Sequence, residues 1–245
     1  SRDGGVVMRR LSDWLLPLCV FLAAIGAWEA LVRIKDIPHY VLPAPSVIAA
    51  TMIEDWAMLS SAMLVTLRIT FQALLAAVIG GVALAILFSS SRVVERSFFP
   101  FAVILQVTPI VAIAPLLLVY LEPENAVLVC AFLVAFFPIL SNMALGLAST
   151  DHNLIDLFEL YKAPRWKQLW LLRLPAALPY FLGGLRIAGG LALIGAIVAE
   201  IAAGSAGQGA GLAFRIVEAG FRLNIPRMFA ALVLISVAGI LIYLS

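Results

Sequence analysis

Charge is what this 245-residue chain has least of: Asp, Glu, Lys and Arg together make up 12% of it. Soluble domains carry roughly a quarter charged residues, so a water-exposed globular surface is excluded. Only two cysteines occur, Cys19 and Cys130, both inside apolar runs and without CxxC spacing. That excludes a disulfide framework or a thiolate metal site and leaves two buried, apolar thiols. The two histidines, His39 and His152, fall on opposite sides of the membrane in the topology that the charges favour, so they share no site. No GxxxxGK[ST] loop is present, and the glycine-rich stretch GSAGQGAG at 204–211 lacks the lysine of a phosphate cradle. No metal site, catalytic triad or carboxylate dyad stands out. The chain is not expected to be an enzyme in its own right or to bind a cofactor.

Apolar residues, by contrast, make up 64% of the chain, and mean hydropathy is +1.09. A transmembrane helix needs roughly 20 mostly apolar residues, and six such stretches can be read at about 12–32, 62–88, 98–121, 125–148, 175–203 and 225–244. Their length and continuity favour helices over barrel strands, which alternate and cross in about ten residues. The expectation is an all-α polytopic membrane protein of about six spans. Residues 1–11 form an N-terminal segment and 12–245 one transmembrane domain. The aromatic residues are scattered along the spans as packing or lipid-facing groups, and nothing points to nucleic acid.

Residues 8–26 imitate a signal peptide, but the apolar run continues to about Val32, which favours an uncleaved first span. Ser1 opens the chain where Met8, followed by Arg9 and Arg10, offers a natural start, and a short basic tail is expected beyond Ser245. With the N-terminus inside, the cytoplasmic pieces hold Arg2, Arg9, Arg10, Arg92, Arg96, Lys162, Arg165, Lys167 and Arg173. The external pieces hold Arg33, Lys35, Arg215, Arg222 and Arg227, and the acidic EPEN loop at 122–125 is also external. Nine basic residues against five favour that orientation.

A polar interruption, DHNLIDLFELYKAPRWKQLWLLRLPAALPYF at 151–181, offers two short amphipathic helices to water. Asn153 can cap the first, with Asp156 echoing a capping box, and Leu154, Ile155, Leu157, Phe158 and Tyr161 recur at helical spacing. Pro164 suits the start of the second. The segment resembles the EAA loop, the coupling helix by which permeases of bacterial ABC importers seat in their ATPase subunits. In register from Leu174-Pro175, Leu172 takes the place of the family's Ile, Lys162 of its Gly, and Asp156-Leu157-Phe158 of Glu-Ala-Ala. The Leu-Pro end, the spacing and the acidic first position match, whereas the two alanines and the glycine do not. Read from the residues alone, the same stretch is also an ordinary amphipathic membrane-surface hairpin. YVLPAPSVI at 40–48, FFPILSN at 136–142 and VAEIAAGSAGQGAG at 198–211 resemble the branch that takes nitrate, sulfonate, taurine, bicarbonate and thiamine precursors.

The resemblance implies a type I ABC importer permease fold in the bacterial inner membrane, with the N-terminus cytoplasmic. It implies a homodimer, two cytoplasmic ATPase subunits that hold ATP and Mg, and a periplasmic or lipid-anchored solute-binding protein. It assigns ATPase coupling to the loop 150–174, on Asp156, Leu157, Phe158, Glu159, Lys162, Ala163, Arg165, Trp166, Leu174 and Pro175. The solute would be small and anionic or heterocyclic.

Within the spans, Gln106, Thr108, Pro109 and Pro115 should break the third, and Pro138, Ser141 and Asn142 the fourth. Broken helices line cavities, which makes Gln106, Thr108, Ser141 and Asn142 candidates for a translocation path; plain kinks use the same residues. Arg186 and Glu200 join them, since a charge at the bilayer centre costs about 2.5–3.5 kcal/mol on insertion scales and needs a partner or a wet cavity. Arg186 either meets an anionic solute, pairs with Glu29 or Glu200, or snorkels. Ser46 can cap a short interfacial helix after the prolines at 38, 43 and 45. Two rivals remain at this point: a secondary transporter or channel working without an ATPase, and a membrane anchor for an enzyme complex.

Overall fold

Among the described residues, 3–204 and 210–244 of a computed structural model, secondary structure is helical, and there is no strand. The elements are α1 (Asp3–Ile34), α2 (Pro45–Glu54), α3 (Trp56–Ser90), α4 (Arg92–Val107), α5 (Ile110–Tyr120) and α6 (Pro123–Ala148). They continue with α7 (His152–Leu160), α8 (Arg165–Gln168), a π-helical turn at Leu169–Arg173, α9 (Leu174–Ala203), α10 (Leu212–Phe221) and α11 (Ile225–Leu244). Five helices are long and apolar enough to cross a membrane, or six if α4 and α5 count as one broken span. In hydrocarbon a helix satisfies its own backbone, which is why apolar runs this long fold this way.

The third expected span is two helices bent by 99°. Thr108 ends α4 in an extended conformation (φ −73°, ψ 123°), the one favoured before a proline. Pro109 then caps α5, whose own Pro115 leaves the helix unbroken. The fourth span departs from expectation in the other direction: α6 runs straight through Pro138. The Pro138 carbonyl is bonded from the next turn, by Asn142 Nδ2 at 2.9 Å and Ser141 Oγ at 3.5 Å. The expected break is absent, and both side chains are spent on their own helix backbone.

The chain divides into two units, residues up to Leu59 with Ile216–Val233, and Ser60–Arg215 with Leu234 onward. In the first, α2 begins with Pro45 at its first turn and Ala44, not Ser46, at the cap. Ser46 is taken by α1: its Oγ and N donate to the Glu29 carboxylate at 2.8 and 3.0 Å, and Arg33 Nε donates to the same group at 2.6 Å. Arg227 forks onto Asp55 at 2.6 and 3.0 Å, the bidentate geometry that suits a guanidinium. Trp28 and Phe229 stack at 5.9 Å. Cys19, expected to be buried, is exposed on α1, whereas Cys130 of the second unit is buried.

The second unit is held by close approach of α6 and α9. A Cβ on Gly146 would lie 2.7 Å from Ala177 Cα, and one on Gly184 2.9 Å from the Pro138 carbonyl. On Gly195 it would lie 3.0 Å from Ala131 Cα. Lipid tails are as apolar as leucine, so helices associate in a membrane through such contacts and not through the hydrophobic effect. Across this seam α3 adds Ile69, Ala73 and Ala77, and α5 adds Ala114, to clusters built on Ala131, Ala135, Ala188 and Ala192.

Gly184→Ala should therefore lower the thermal midpoint of the detergent-solubilised protein by several degrees, through an overpacking cost of about 1–3 kcal/mol. Gly190→Ala, where a Cβ meets nothing within 4 Å, should leave the midpoint unchanged. Tryptophan fluorescence melts of the two variants check the pair, and equal midpoints would remove the seam from this account.

Candidate functional site

The 151–174 segment begins with Asp151, not Asn153, as the cap of α7. Its carboxylate accepts from the Asn153 N–H at 2.9 Å and the Asn153 amide at 3.1 Å, so Asn153 is spent as a donor. The far end is a Schellman turn. Ala163 N donates to Phe158 O at 2.9 Å and Lys162 N to Glu159 O at 2.9 Å, the 6→1 and 5→2 bonds of that motif. Lys162 carries the left-handed residue, at φ +53°. This is the position that the sequence register assigns to glycine, and the lysine adopts the backbone that glycine favours.

Ile155 and Phe158 are half-buried, while Leu160 (79% exposed) and Tyr161 (77%) project from the end of α7, and Trp166 and Trp170 project beyond it. Asp156, Glu159 and Arg165 are exposed, Ala163 half-buried. Lys167 Nζ lies 5.6 Å from the centre of the Trp166 ring. The segment therefore carries uncovered aromatic and aliphatic side chains with charged residues among them. After Gln168 the helix widens into the π turn, closed by Leu174 N donating to Leu169 O, and Pro175 opens α9 within its first turn.

The six candidate path residues do not converge. Gln106 and Thr108 line a cavity of about 350 Å³ at the bend between α4 and α5, with Pro138 and Leu191 across it. Thr108 Oγ1 donates to Ile104 O at 2.7 Å. Asn142 lies in the α6–α9 seam, against Gly184, and the neighbouring Ser141 bonds the Pro138 carbonyl as above. Arg186 is exposed and lines a separate cavity of about 540 Å³ with Phe71, Leu74 and Leu182. Its guanidinium sits 5.0 Å from the centre of the Tyr243 ring. It pairs with neither expected carboxylate, because Glu29 is taken by Ser46 and Arg33, and Glu200 is occupied elsewhere.

Glu200 is only 5% exposed. Its Oε1 accepts from Thr66 Oγ1 at 2.8 Å and its Oε2 from Ala213 N at 3.0 Å, while Leu212 N donates to Thr66 Oγ1 at 2.9 Å. One carboxylate and one hydroxyl thus hold two of the free N–H groups at the start of α10, where negative charge is favoured. Gly211 lies so close that any Cβ there would overlap the carboxylate. Most of the glycine-rich stretch 204–211 lies outside the described residues. Sequence reasoning missed Thr66, Tyr243 and the Asp55–Arg227 pair. A signal existed for the first: Thr66 and Thr70 are one turn apart in an otherwise apolar span, and Thr70 Oγ1 donates to Thr66 O at 2.8 Å.

Residues 77–245 match the family described as binding-protein-dependent transport system inner membrane component, and the chain belongs to it. A probable ABC transporter permease protein of Haemophilus influenzae is 32% identical over 232 residues, covering 94% of this chain and 93% of its own. The formylaminopyrimidine transport permease protein ThiX of Halalkalibacterium halodurans is 33% identical over 239 residues, with 96% and 92% covered. The putative aliphatic sulfonates transport permease protein SsuC of Bacillus subtilis is 28% identical over 237 residues, with 94% and 83% covered. The chain is thus a multi-pass inner-membrane permease of an ABC importer, a transport subunit that works with ATPase and solute-binding partners and not an enzyme. This decides against the secondary transporter, the channel and the enzyme anchor.

Two substitutions probe the geometry. Thr66→Val should cost about 1–3 kcal/mol by leaving the Leu212 N–H unpaired and the carboxylate short of a donor; amides 212 and 213 should then exchange faster in deuterium-exchange mass spectrometry, and unchanged rates would show that the clamp is idle. Lys162→Gly should keep the Schellman turn and slow proteolysis of the 151–174 segment. Lys162→Ile should speed it, since a left-handed conformation costs an L-residue roughly 1–2 kcal/mol.

Proposed function

We propose that the 150–174 segment is the surface on which the ATPase subunit docks. The uncovered patch of Leu160, Tyr161, Trp166 and Trp170 carries this reading. Monomeric surfaces rarely leave apolar groups contiguous and bare unless something covers them. Asp156, Leu157, Phe158, Glu159, Lys162, Ala163 and Arg165 surround that patch, and Leu174-Pro175 joins it to α9, the helix that carries Arg186 and Glu200. Motion of the docked segment would pass along a continuous helix into the membrane. The segment faces the cytoplasm, with the N-terminus on the same side, and the working unit is a homodimer with two ATPase subunits, which hold ATP and Mg.

The solute is small and anionic or heterocyclic. Two observations support this: relatives named for a formylaminopyrimidine and for aliphatic sulfonates, and an exposed Arg186 that meets an aromatic ring and no carboxylate. Gln106 and Thr108, at the break between α4 and α5, offer polar groups to a second cavity. The spans otherwise carry little polar surface, so discrimination falls mainly to the solute-binding protein and the permease provides a low-affinity passage.

Asp156→Arg, or Gly-Gly in place of Leu174-Pro175, should leave membrane insertion intact and abolish solute-stimulated ATP hydrolysis in proteoliposomes. Normal stimulation in both would sink the docking assignment. Arg186→Gln should lower uptake of an anionic solute about tenfold or more, the loss of one charged hydrogen bond, while assembly and ATP hydrolysis persist. An assembled variant with unchanged uptake would remove Arg186 from the path.

A further inference from the structure

Where α3 ends and α9 begins, a cleft of about 470 Å³ is lined by Ser89 and Ser90 of α3 and by Glu159, Arg165, Gln168 and Arg173. Arg173 Nε and Gln168 Nε2 are buried, and among the described residues no acceptor reaches them. Buried donors of this kind are expensive to leave unmade, more so when they carry charge. The serines do not compete for a ligand's acceptors as donors, because both hydroxyls donate to Ile86 O at 2.8 Å. The donors left for a ligand are therefore those of the two guanidiniums, the amide and the indole of Trp166, which also lines the cleft. Two guanidiniums against the single Glu159 carboxylate leave a formal charge of +1 (two minus one).

The depth of the cleft narrows the ligand. α3 ends at Ser90, and the candidate span that includes α9 begins at Arg165, so the cleft lies at the ends of both candidate spans. Lipid phosphates lie at that level, and basic pockets between membrane helices bind anionic headgroups. The π-helical turn at Leu169–Arg173 bears on the same point. Such turns are rare and frequently mark functional sites, and this one holds Arg173 at its end.

We infer that the cleft binds the phosphodiester of an anionic lipid headgroup from the adjoining leaflet. Arg173 Nε and Gln168 Nε2 donate to phosphate oxygens, and Arg165 supplies the second positive charge. Free inorganic phosphate carries the same acceptors without the acyl chains, and a carboxylate from the docked ATPase is the alternative occupant.

The test uses the assembled transporter, permease with ATPase, washed of lipid in detergent, titrated with phosphatidylglycerol or phosphatidylcholine in mixed micelles and read by native mass spectrometry. The wild type should retain one phosphatidylglycerol per permease, Arg173→Gln should reduce that retention about tenfold, and equimolar inorganic phosphate should not displace it. Gln168→Leu, with the charge intact, should reduce retention by a smaller factor, and it carries the comparison if Arg173→Gln fails to assemble. Equal retention of phosphatidylcholine, retention unaffected by the substitutions, or displacement by phosphate would each overturn the inference. So would retention by the permease alone that vanishes when the ATPase is bound, which would assign the cleft to the protein partner.

Discussion

Three glycines set how near α6 and α9 can come, and much of the second unit follows from that distance. Gly146, Gly184 and Gly195 each face backbone or Cβ atoms of the other helix at separations that no side chain would permit. In water such a seam would be reinforced by burial of apolar surface, but between lipid-facing helices that term largely cancels, and contact must do the work. Close contact makes alanine as useful a core residue as leucine. The buried residues of the central clusters are accordingly mostly small: Ala73, Ala77, Ala131, Ala135, Ala188, Ala192 and Ala196. α9 is thereby fixed along most of its length, and Glu200, near one end, is held against Thr66 and the start of α10.

Glu200 shows how a membrane protein can keep a carboxyl group inside. Desolvation alone would make Glu200 costly, yet a hydroxyl and a helix N-terminus supply donors and a favourable dipole. In the first unit Glu29 is likewise met by Ser46 and Arg33, and Asp55 by Arg227. Arg186 breaks the pattern. Its cation meets an aromatic face, an interaction that leaves the guanidinium's hydrogen-bond donors available to a visitor.

Much of the helix plan was legible because a span is written in one residue class over some 20 positions, a signal too long to be obscured by local exceptions. The two short helices of the 151–174 segment were legible for the opposite reason, as a long polar interruption among apolar runs. Finer features were not. Asp151 and Asn153 are both good caps, and only the three-dimensional bonding shows that one serves the other. Pro109 breaks its helix and Pro138 does not, although both follow apolar stretches. What differs is the tertiary setting: α6 is packed against α9 along this stretch, with the Pro138 carbonyl facing Gly184. Thr66 escaped notice because its partner is 134 positions away in sequence. The left-handed Lys162 was hidden by its identity, since a lysine gives no hint of a glycine's backbone.

The bend at Thr108–Pro109 also bears on how the chain enters the membrane. At 1.5 Å per residue α4 is about 24 Å long and α5 about 16 Å, each short of the roughly 30 Å of hydrocarbon that a lone inserting helix must cross. Ala114 of α5 finds its neighbours in Val127 and Ala131 of α6 and in Ala196 and Ala199 of α9, all of them synthesised later. When α5 leaves the ribosome, the surfaces that will bury it do not yet exist. The packing around α5 is therefore complete only once α9 has been made, about a third of the chain after α5.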